Sequence, residues 1–397
     1  SGQKKPCQSL VEDVRRGDLA LLPRGGVAAL INASNLDSQH QKKAFCFLPL
    51  PVKTDLPVHI NGHFALESEA RRNIWLDLDS GSKAEWNNLL MQDVIGPCYV
   101  TLLQNIPEYL STSHIGANMS IMEMSGEAVP NIDIYCDLFP KFNKGKDPWT
   151  NLIVSVYEHI HQTQAPVLPI ARPSTSFCSF SRSNLALNSL DDLKDQAEIE
   201  WLSTSGSGGS KPYFDNLDYY VGDEEDLTFT GIATRRRIVT STPKKKPSKA
   251  MIRQVLLSSG FRLIKLPIAV YESFIAAGVE VECVSPSTVV DFFKSYGSKK
   301  QLCTIGTLPS DIYDTPFQNE ATFQVVLEYC AQELYYFQSN LENLPFLLTQ
   351  DNQLRQFCQD EPVYLTPYHD LLPGLESVFI HHNLARSVFK DLDITSC

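Results

Sequence analysis

Three side chains in the first quarter of the chain have types and a spacing that suit ATP hydrolysis. Glu69, Asn73 and Asp77 approximate a helical E-x-x-x-N-x-x-D box, in which the glutamate activates water and the asparagine holds magnesium. The box requires its second acid at position 76, which is Leu76, and the companion D-x-G-x-G segment is incomplete, because Asp79 begins the sequence DSGSK. The trio therefore defines an alternative hypothesis, a degenerate nucleotide-binding or ATPase site. The favoured interpretation of 69–73 is a solvated turn after a strand.

Two close histidine pairs are the next candidates, in this case for a metal site. His59 and His63 flank Asn61-Gly62, which predicts a turn because both residues tolerate positive φ. His159 and His161 lie two residues apart near a predicted helix end, so their side chains diverge. A metal site needs three or four converging ligands, and the cysteines add no matching spacing. We therefore expect structural roles for both pairs.

The remaining candidates also lack a recognisable catalytic context. His381 and His382 lie in a predicted strand, VFIHH, where neighbouring side chains point to opposite faces. No serine occupies a G-x-S-x-G turn, and no cysteine has a protease-type context. The run Gly206–Ser210 lacks the G-K-[ST] of a phosphate-binding loop. The sequence thus predicts no catalytic, cofactor-binding or metal-binding residues, and a protein that is not an enzyme.

Composition narrows the class of protein further. Of 397 residues, 43% are hydrophobic and 20% are charged, which is typical of folded globular domains. The formal net charge of −12 argues against a nucleic-acid partner, because such binding neutralises phosphates with Lys and Arg. Ten scattered cysteines without a C-x-x-C pair are typical of reduced, cytoplasmic proteins. No apolar run approaches the roughly 18 residues of a membrane span, so we expect no transmembrane segment.

A change in composition after residue 173 predicts the domain organisation. Residues 1–173 and 248–397 are expected to form two α/β sandwich domains, and 174–247 a flexible, charged, Ser- and Gly-rich connection. Within it, Gly206–Ser210 is typical both of a natural loop and of an engineered linker. Basic clusters at 235–237 and 244–246 could bind an acidic partner or nucleic acid, although the acidic run DEED just upstream favours charge compensation or plain solvation.

The first predicted domain has clear strand and helix signals. The β-prone runs 45–52 and 56–66 meet at 53–55, which predicts a hairpin or adjacent strands. Helical spacing predicts a helix over 83–94 and a second over 148–161, with Asp147 as its cap and Pro148 at its first position. The second helix should bury one continuous apolar face, composed of Trp149, Leu152, Ile153, Val156, Tyr157 and Ile160.

The second predicted domain alternates helices with strands, which favours a partly parallel sheet covered by helices. The expected helices are at 249–258, 267–277, 285–297 and 320–340. The expected strands are at 261–266 and 279–284, and a hairpin is expected to turn at Gln350–Asn352. Buried positions are expected at Val289, Val290, Phe293, Phe323, Val326, Leu327, Cys330, Leu334 and Phe337.

The block FCFLPLPVKTDLPVHINGHFAL (45–66), continued by ESEARRNIW (67–75), resembles the repeats of the sacsin family. The segments LLPRGGVAAL (21–30), LENLPFLLTQDNQLRQF (341–357) and LLPGLESVFIHHNL (371–384) resemble other phrases of those repeats. The resemblance covers most of the chain expected to fold. None of the family's nucleotide-binding residues has a matching position here.

This resemblance implies a role and an architecture. Members of the family are very large chaperone-like proteins whose repeats each begin with an ATPase-like domain of the heat-shock-chaperone type. The chain would lie downstream of that domain, as a non-catalytic structural module that contacts protein clients, neighbouring repeats and heat-shock-70-type chaperones through the full-length protein. His59–His63 is also similar to a strand of the transducer domain in chaperone middle regions, which has the ribosomal-S5-domain-2-like fold, and this suggests a transducer-like first domain.

Overall fold

The computed structural model describes helices and mixed sheets, which confirms the α/β class. The described residues are 8–30, 42–67, 73–74, 81–112, 132–142, 149–173, 197–205, 211–217, 249–300, 310–357, 363–365 and 373–386. Several predicted features lie outside them: the cap at Asp147 and Pro148, Gly206–Ser210, and the charged clusters between 223 and 246.

The chain divides into two compact units that interleave along the sequence. Unit 1 takes residues 1–174, 194–214 and 264–282, and unit 2 takes 175–193, 215–263 and 283–397. The two domains predicted from the sequence, 1–173 and 248–397, are each contiguous, and their boundaries stay a prediction.

The first sheet of unit 1 contains four strands in the order β1-β4-β2-β3. Strand β4 runs antiparallel to β1 and parallel to β2, while β3 pairs antiparallel with β2. The predicted hairpin around 53–55 is therefore wrong, since the run 45–52 folds back on itself at Phe47 and β3 does not pair with β4. The alternative prediction, adjacent strands, is confirmed for β2 and β4. The strands are β1 (Gly25–Ala28), β2 (Lys43–Cys46), β3 (Leu48–Lys53) and β4 (His59–Gly62).

Asn61 and Gly62 lie in strand β4, so the turn predicted for them is wrong as well. Gly62 pairs with Gly25 of β1. A Cβ atom on Gly62 would lie 2.7 Å from Cε2 of Phe64, and one on Gly25 would lie 2.8 Å from Cγ1 of Ile95. These glycines are therefore required by close packing against the sheet, and not by the backbone of a turn.

The helices of unit 1 follow the predicted apolar faces closely. Helix α2 (Ser82–Leu90) confirms the helix expected at 83–94 and continues through a π-helical turn, Met91–Ile95, into α3 (Gly96–Thr112). All six residues of the expected face are buried: Trp149, which directly precedes α5 (Thr150–Gln162), and the five within the helix. The Ser155 hydroxyl donates to the Gln92 carbonyl in the π turn at 2.8 Å. Three further helices belong to unit 1: α1 (Gln8–Arg16), α4 (Ile132–Asp137) and α7 (Ile268–Ala276).

A second sheet of unit 1 uses residues that were expected to be a flexible connection. Strands β5 (Leu168–Pro173) and β6 (Ala197–Leu202) pair antiparallel over their whole lengths. Strand β7 (Pro212–Phe214) also belongs to unit 1, and strand β8 (Arg262–Ile264) spans the boundary between the units, which falls after Leu263. The prediction of a flexible connection over 174–247 is thus wrong at 197–202 and 212–214, which form strands. Charge and Ser content obscured two short strands there.

Unit 2 packs its helices around a cluster of aromatic rings. Phe293, Phe317, Phe323 and Phe346 are each about 1% exposed, and their ring centroids lie 5.1 to 6.0 Å apart. The hairpin predicted at 350–352 is confirmed by β10 and β11, which pair antiparallel. The elements are helices α6 (Lys249–Ser258), α8 (Pro286–Lys300), α9 (Glu320–Cys330), α10 (Leu334–Ser339) and α11 (His382–Arg386), and strands β9 (Ser310–Asp311), β10 (Leu347–Leu348) and β11 (Gln353–Arg355).

Three predicted elements of the second half differ from the structure. The segment 279–284 alternates between buried and exposed residues but forms an isolated bridge at Cys283, not a strand. The helix expected at 320–340 is divided by a 3-10 turn at Ala331–Glu333. Helix α8 continues past Gly297, because a single glycine inside a helix costs only about 1 kcal/mol.

In the part of the chain that the structure describes, no helix is long and apolar enough to cross a membrane.

Candidate interaction site at the β2–β3 turn

Of the possible ATPase trio, the structure places one residue. Glu69 and Asp77 lie outside the described residues. The Asn73 amide donates to a carboxylate oxygen of Glu67 at 2.9 Å, and the Glu67 backbone amide donates to the Asn73 carbonyl at 3.0 Å. A bridge between Leu66 and Ile74 continues this pairing. Asn73 is therefore engaged in a local antiparallel contact with the residues that follow β4.

His59 and His63 fix neighbouring backbone segments. Nδ1 of His59 accepts a hydrogen bond from the Lys43 amide at 3.1 Å, and Nδ1 of His63 accepts one from the Leu22 amide at 3.0 Å. Each ring thereby pairs with a backbone amide of a segment distant in the sequence. These contacts support the structural role expected for the pair.

His159 and His161 bind different groups, as their spacing predicted. Nδ1 of His159 lies 2.9 Å from the Ser155 carbonyl oxygen, one helical turn earlier. Nδ1 of His161 lies 3.0 Å from the hydroxyl of Thr204. Among the described residues, no group of three or more His, Cys, Asp and Glu side chains is placed to hold a metal ion.

His381 and His382 contradict the expectation that their side chains point apart. Their rings stack with centroids 4.6 Å apart and an interplanar angle of 29°. The reason is that helix α11 begins at His382, so the predicted strand does not continue through the pair. Nδ1 of His381 lies 3.3 Å from a carboxylate oxygen of Glu320, which makes this an ion pair when the imidazole is protonated.

Phenolic and thiol groups of the core have environments that suppress ionisation. Burial raises the pKa of Tyr99, Tyr135 and Tyr157, and their hydroxyls donate to backbone carbonyls at 2.6, 2.7 and 2.5 Å. Burial likewise raises the pKa of the Cys330 thiol. Groups held neutral in this way serve as structural donors and are poor nucleophiles.

A concavity of about 360 Å³ lies beside the β2–β3 turn in unit 1. Three parts of the chain form its walls: the loop after α1, the turn itself and the residues that follow β4. Lys83 at the start of α2 completes it. We call this concavity and the adjoining Phe47-Leu48 the turn site. The lining residues are Asp18, Leu19, Ala20, Leu21, Cys46, Phe47, His63, Phe64, Ala65, Leu66, Glu67 and Lys83.

The wall that follows β4 is held rigidly from behind by helix α2. The side chain of Asn87, which is fully buried, accepts from the Ala65 amide at 2.7 Å and donates to the Ala65 carbonyl at 2.9 Å. The indole of Trp86 donates to the His63 carbonyl at 3.0 Å. The backbone of this wall is thus positioned by side-chain hydrogen bonds, which substitute for a neighbouring strand.

The turn itself exposes two large apolar side chains. Phe47 is 81% exposed and Leu48 is 73% exposed. Phe47 also has φ of 61°, a left-handed conformation that costs a residue of this kind about 1–3 kcal/mol. The one ring contact described for it is edge-to-face with His63, at a centroid distance of 5.4 Å.

Cys46 lines the turn site but has little nucleophilic character. Its thiol donates to the Phe64 carbonyl at 3.7 Å. Burial raises the pKa of this thiol above its usual value, so it stays protonated near neutral pH. The site therefore offers apolar surface and a few charges, and its chemistry suits binding.

The sequence did not identify the turn site, although one signal was present. In a regular strand, Phe45 and Phe47 would lie on one face and Leu48 on the other. The two large apolar residues Phe47 and Leu48 are instead consecutive, which interrupts an alternation of apolar and other residues. Such a break in the period of two is compatible with a turn. Apolar side chains at that turn gave no composition cue, because Gly, Asn and Asp are the usual turn residues.

Comparison with known proteins gives one curated relative. Human sacsin is 30% identical over 389 residues, which cover 96% of this chain and 8% of sacsin. No family model matches the chain, and no solved structure matches it. The match extends well beyond the 45–66 block and confirms the resemblance inferred from that block. The chain is a sacsin-related segment.

Proposed function

We propose that the chain is a non-catalytic structural and interaction module of a large co-chaperone-like protein. In this proposal it supports protein folding or assembly, and the regulation of heat-shock chaperone machinery, in the cytoplasm. Its partners are protein clients and neighbouring sacsin-type domains, with heat-shock-70-type chaperones reached through the full-length protein. The sequence similarity to 8% of sacsin supports a module of a large chaperone-like protein. The turn site supports a role in binding other proteins.

The observation that carries the proposal is the exposure of Phe47 and Leu48 beside a ready-made concavity. Exposed apolar residues that adjoin a pocket are typical of protein-binding surfaces. The volume of about 360 Å³ suits one or two side chains of a partner. Around the turn site, side chains such as Asn87 and Trp86 bond to backbone atoms, so they hold the binding surface in place.

The proposal is tested by measuring two activities of the same purified chain. The chain should slow the aggregation of a heat-denatured model protein without added nucleotide. Isothermal titration with magnesium ATP should give no heat of binding, and the chain should not release phosphate from ATP. Tight ATP binding or turnover, abolished by Glu69→Ala, would instead establish the alternative site at Glu69, Asn73 and Asp77.

A further inference from the structure

The backbone conformation of Phe47 disfavours a phenylalanine at that position. Its φ of 61° is readily adopted by glycine and by asparagine, whereas a bulky side chain is strained there. Because Phe47 is 81% exposed, the folded chain gains little from burying it. A strained and exposed aromatic ring is more easily explained by a contact with a partner than by stability of the chain itself.

The edge of the sheet at this turn is unsuited to pairing with an added strand. Strand β3 is an edge strand, and it carries Pro49 and Pro51, which have no backbone N–H to donate. Neither position can donate a backbone hydrogen bond to a partner that extended the sheet here. Insertion of side chains into the concavity is therefore the more favourable way to bind.

The walls of the concavity specify the chemistry of such side chains. Leu19, Leu21 and Phe64 supply apolar surface, which favours a large aliphatic or aromatic group. Two carboxylates, Asp18 and Glu67, line the same space, against one amine, that of Lys83. The Glu67 carboxylate accepts one hydrogen bond from Asn73 and can accept more, since an ionised carboxylate has two oxygens.

The net charge of the whole chain is negative, as is the net charge of the residues that line the concavity. A formal net charge of −12 attracts cationic segments at long range and repels acidic ones. Local and global charges are therefore both complementary to a partner that carries Lys or Arg beside its apolar anchor.

We propose that the turn site binds an extended peptide segment in which a large apolar side chain lies next to a lysine or arginine. The apolar group enters the concavity and packs against Phe47, while the basic group pairs with Asp18 or Glu67. This inference rests on the proposed function and names its partner. It predicts selectivity among unfolded segments, which a general apolar surface would not have.

The test uses the whole chain and three labelled peptides of equal length, followed by fluorescence anisotropy. The first peptide is Gly-Ser-Arg-Leu-Phe-Arg-Ser-Gly, the second replaces both Arg with Glu, and the third replaces Leu-Phe with Ser-Ser. The first should bind, and its affinity should fall as salt is raised because the charge contacts are screened. Binding of the second should be weaker by roughly tenfold or more, and the third should not bind.

Surface variants then assign the binding to the turn site. Phe47→Gly should lower the affinity for the first peptide roughly tenfold, as expected for an aromatic hot spot. This variant should melt at or above the melting temperature of the parent chain. The pair Asp18→Asn and Glu67→Gln should lower the affinity for the first peptide roughly tenfold and reduce its salt dependence to the part that the rest of the chain's charge contributes. The matched control is Leu30→Ser, since Leu30 is 45% exposed and lies outside the lining.

The possible outcomes separate this inference from the proposed function. If Phe47→Gly binds the first peptide as tightly as the parent chain does, or if the Glu peptide binds equally well, the inference is wrong. It is also wrong if Phe47→Gly leaves the peptide affinity intact but changes the sedimentation of the chain, because a second copy then occupies the site. In each of these cases, continued suppression of aggregation by the parent chain would leave the proposed function standing.

Discussion

Phe47 in unit 1 and the aromatic cluster of unit 2 have opposite environments. In unit 2, Phe293 and three neighbouring phenylalanines are about 1% exposed and pack ring against ring. In unit 1, Phe47 is 81% exposed on a left-handed backbone. The first arrangement stabilises the fold, whereas the second costs stability. The contrast shows that the surface of unit 1 carries apolar groups which its own folding does not require.

The largest expected effect comes from cutting into the aromatic cluster. Phe293→Ala should lower the free energy of unfolding of unit 2 by about 3–5 kcal/mol, because it removes buried contacts and leaves a cavity. Phe47→Ala, the matched substitution at the exposed ring, should change stability by less than about 0.5 kcal/mol. Urea unfolding followed by circular dichroism measures both. Equal losses for the two variants would contradict the comparison.

A buried ion pair of unit 2 should be nearly as sensitive. Two nitrogens of Arg253 lie 2.7 and 3.0 Å from the two carboxylate oxygens of Asp215, and the two side chains are 1% and 5% exposed. Asp215→Ala leaves a guanidinium buried without its carboxylate, which should cost about 3–5 kcal/mol.

The control for that variant is an exposed ion pair of unit 1. Lys211 and Glu282 form a pair in which both side chains are 46% exposed. Lys211→Ala should cost less than about 1 kcal/mol in the same urea experiment, because solvent screens the pair. A small loss for Asp215→Ala as well would show that the buried pair is not a determinant of the unit 2 fold.

A smaller effect is expected behind the wall of the turn site. Asn87→Ala removes both hydrogen bonds to Ala65 and leaves a buried amide and carbonyl unpaired, at a cost of about 1–3 kcal/mol. Asn105→Ala is the control, because the Asn105 side chain bonds the Thr101 carbonyl on an exposed helix face. Thermal melting compares the two, and the affinity for the basic apolar peptide should fall in Asn87→Ala alone.

The smallest effect, and the one of opposite sign, is expected at the turn. Phe47→Gly relieves the positive φ and gives up little buried surface, so stability should be unchanged or higher by up to about 1 kcal/mol. Differential scanning calorimetry measures the change. A clear loss of stability would mean that the ring contributes to the fold, and the argument for a partner would fail.

The sequence predicted helices well where apolar residues recur at helical spacing. All six residues of the apolar face expected for α5 and its N-cap are buried, and α6 begins and ends where the pattern places it. The 45–66 block also led to the relationship with sacsin. Each of these inferences depends on residues that are close together in the sequence.

The errors arose where pairing between distant segments decides the structure. Strand β2 pairs with β3 and with β4. Although Pro49 and Pro51 are typical of an edge strand, no local signal in 45–66 shows that β2 lies between β3 and β4. Gly62 suggested a turn, yet its role depends on Phe64 and Ile95 packing against it. Strand β6 was not predicted, because its sequence is charged and the strand is formed by hydrogen bonding to a distant partner, β5. The turn site combines segments from 18 to 83, so it could be recognised only in three dimensions.

Amide chemical shifts of the isotope-labelled chain provide the most direct test of the account. Titration with the basic apolar peptide should shift resonances at 18–22, 46–48 and 63–67, and magnesium ATP should leave the spectrum unchanged. Peptide shifts confined to other parts of the chain, or ATP shifts centred on Asn73, would contradict the claim that this chain acts by binding proteins through the turn site.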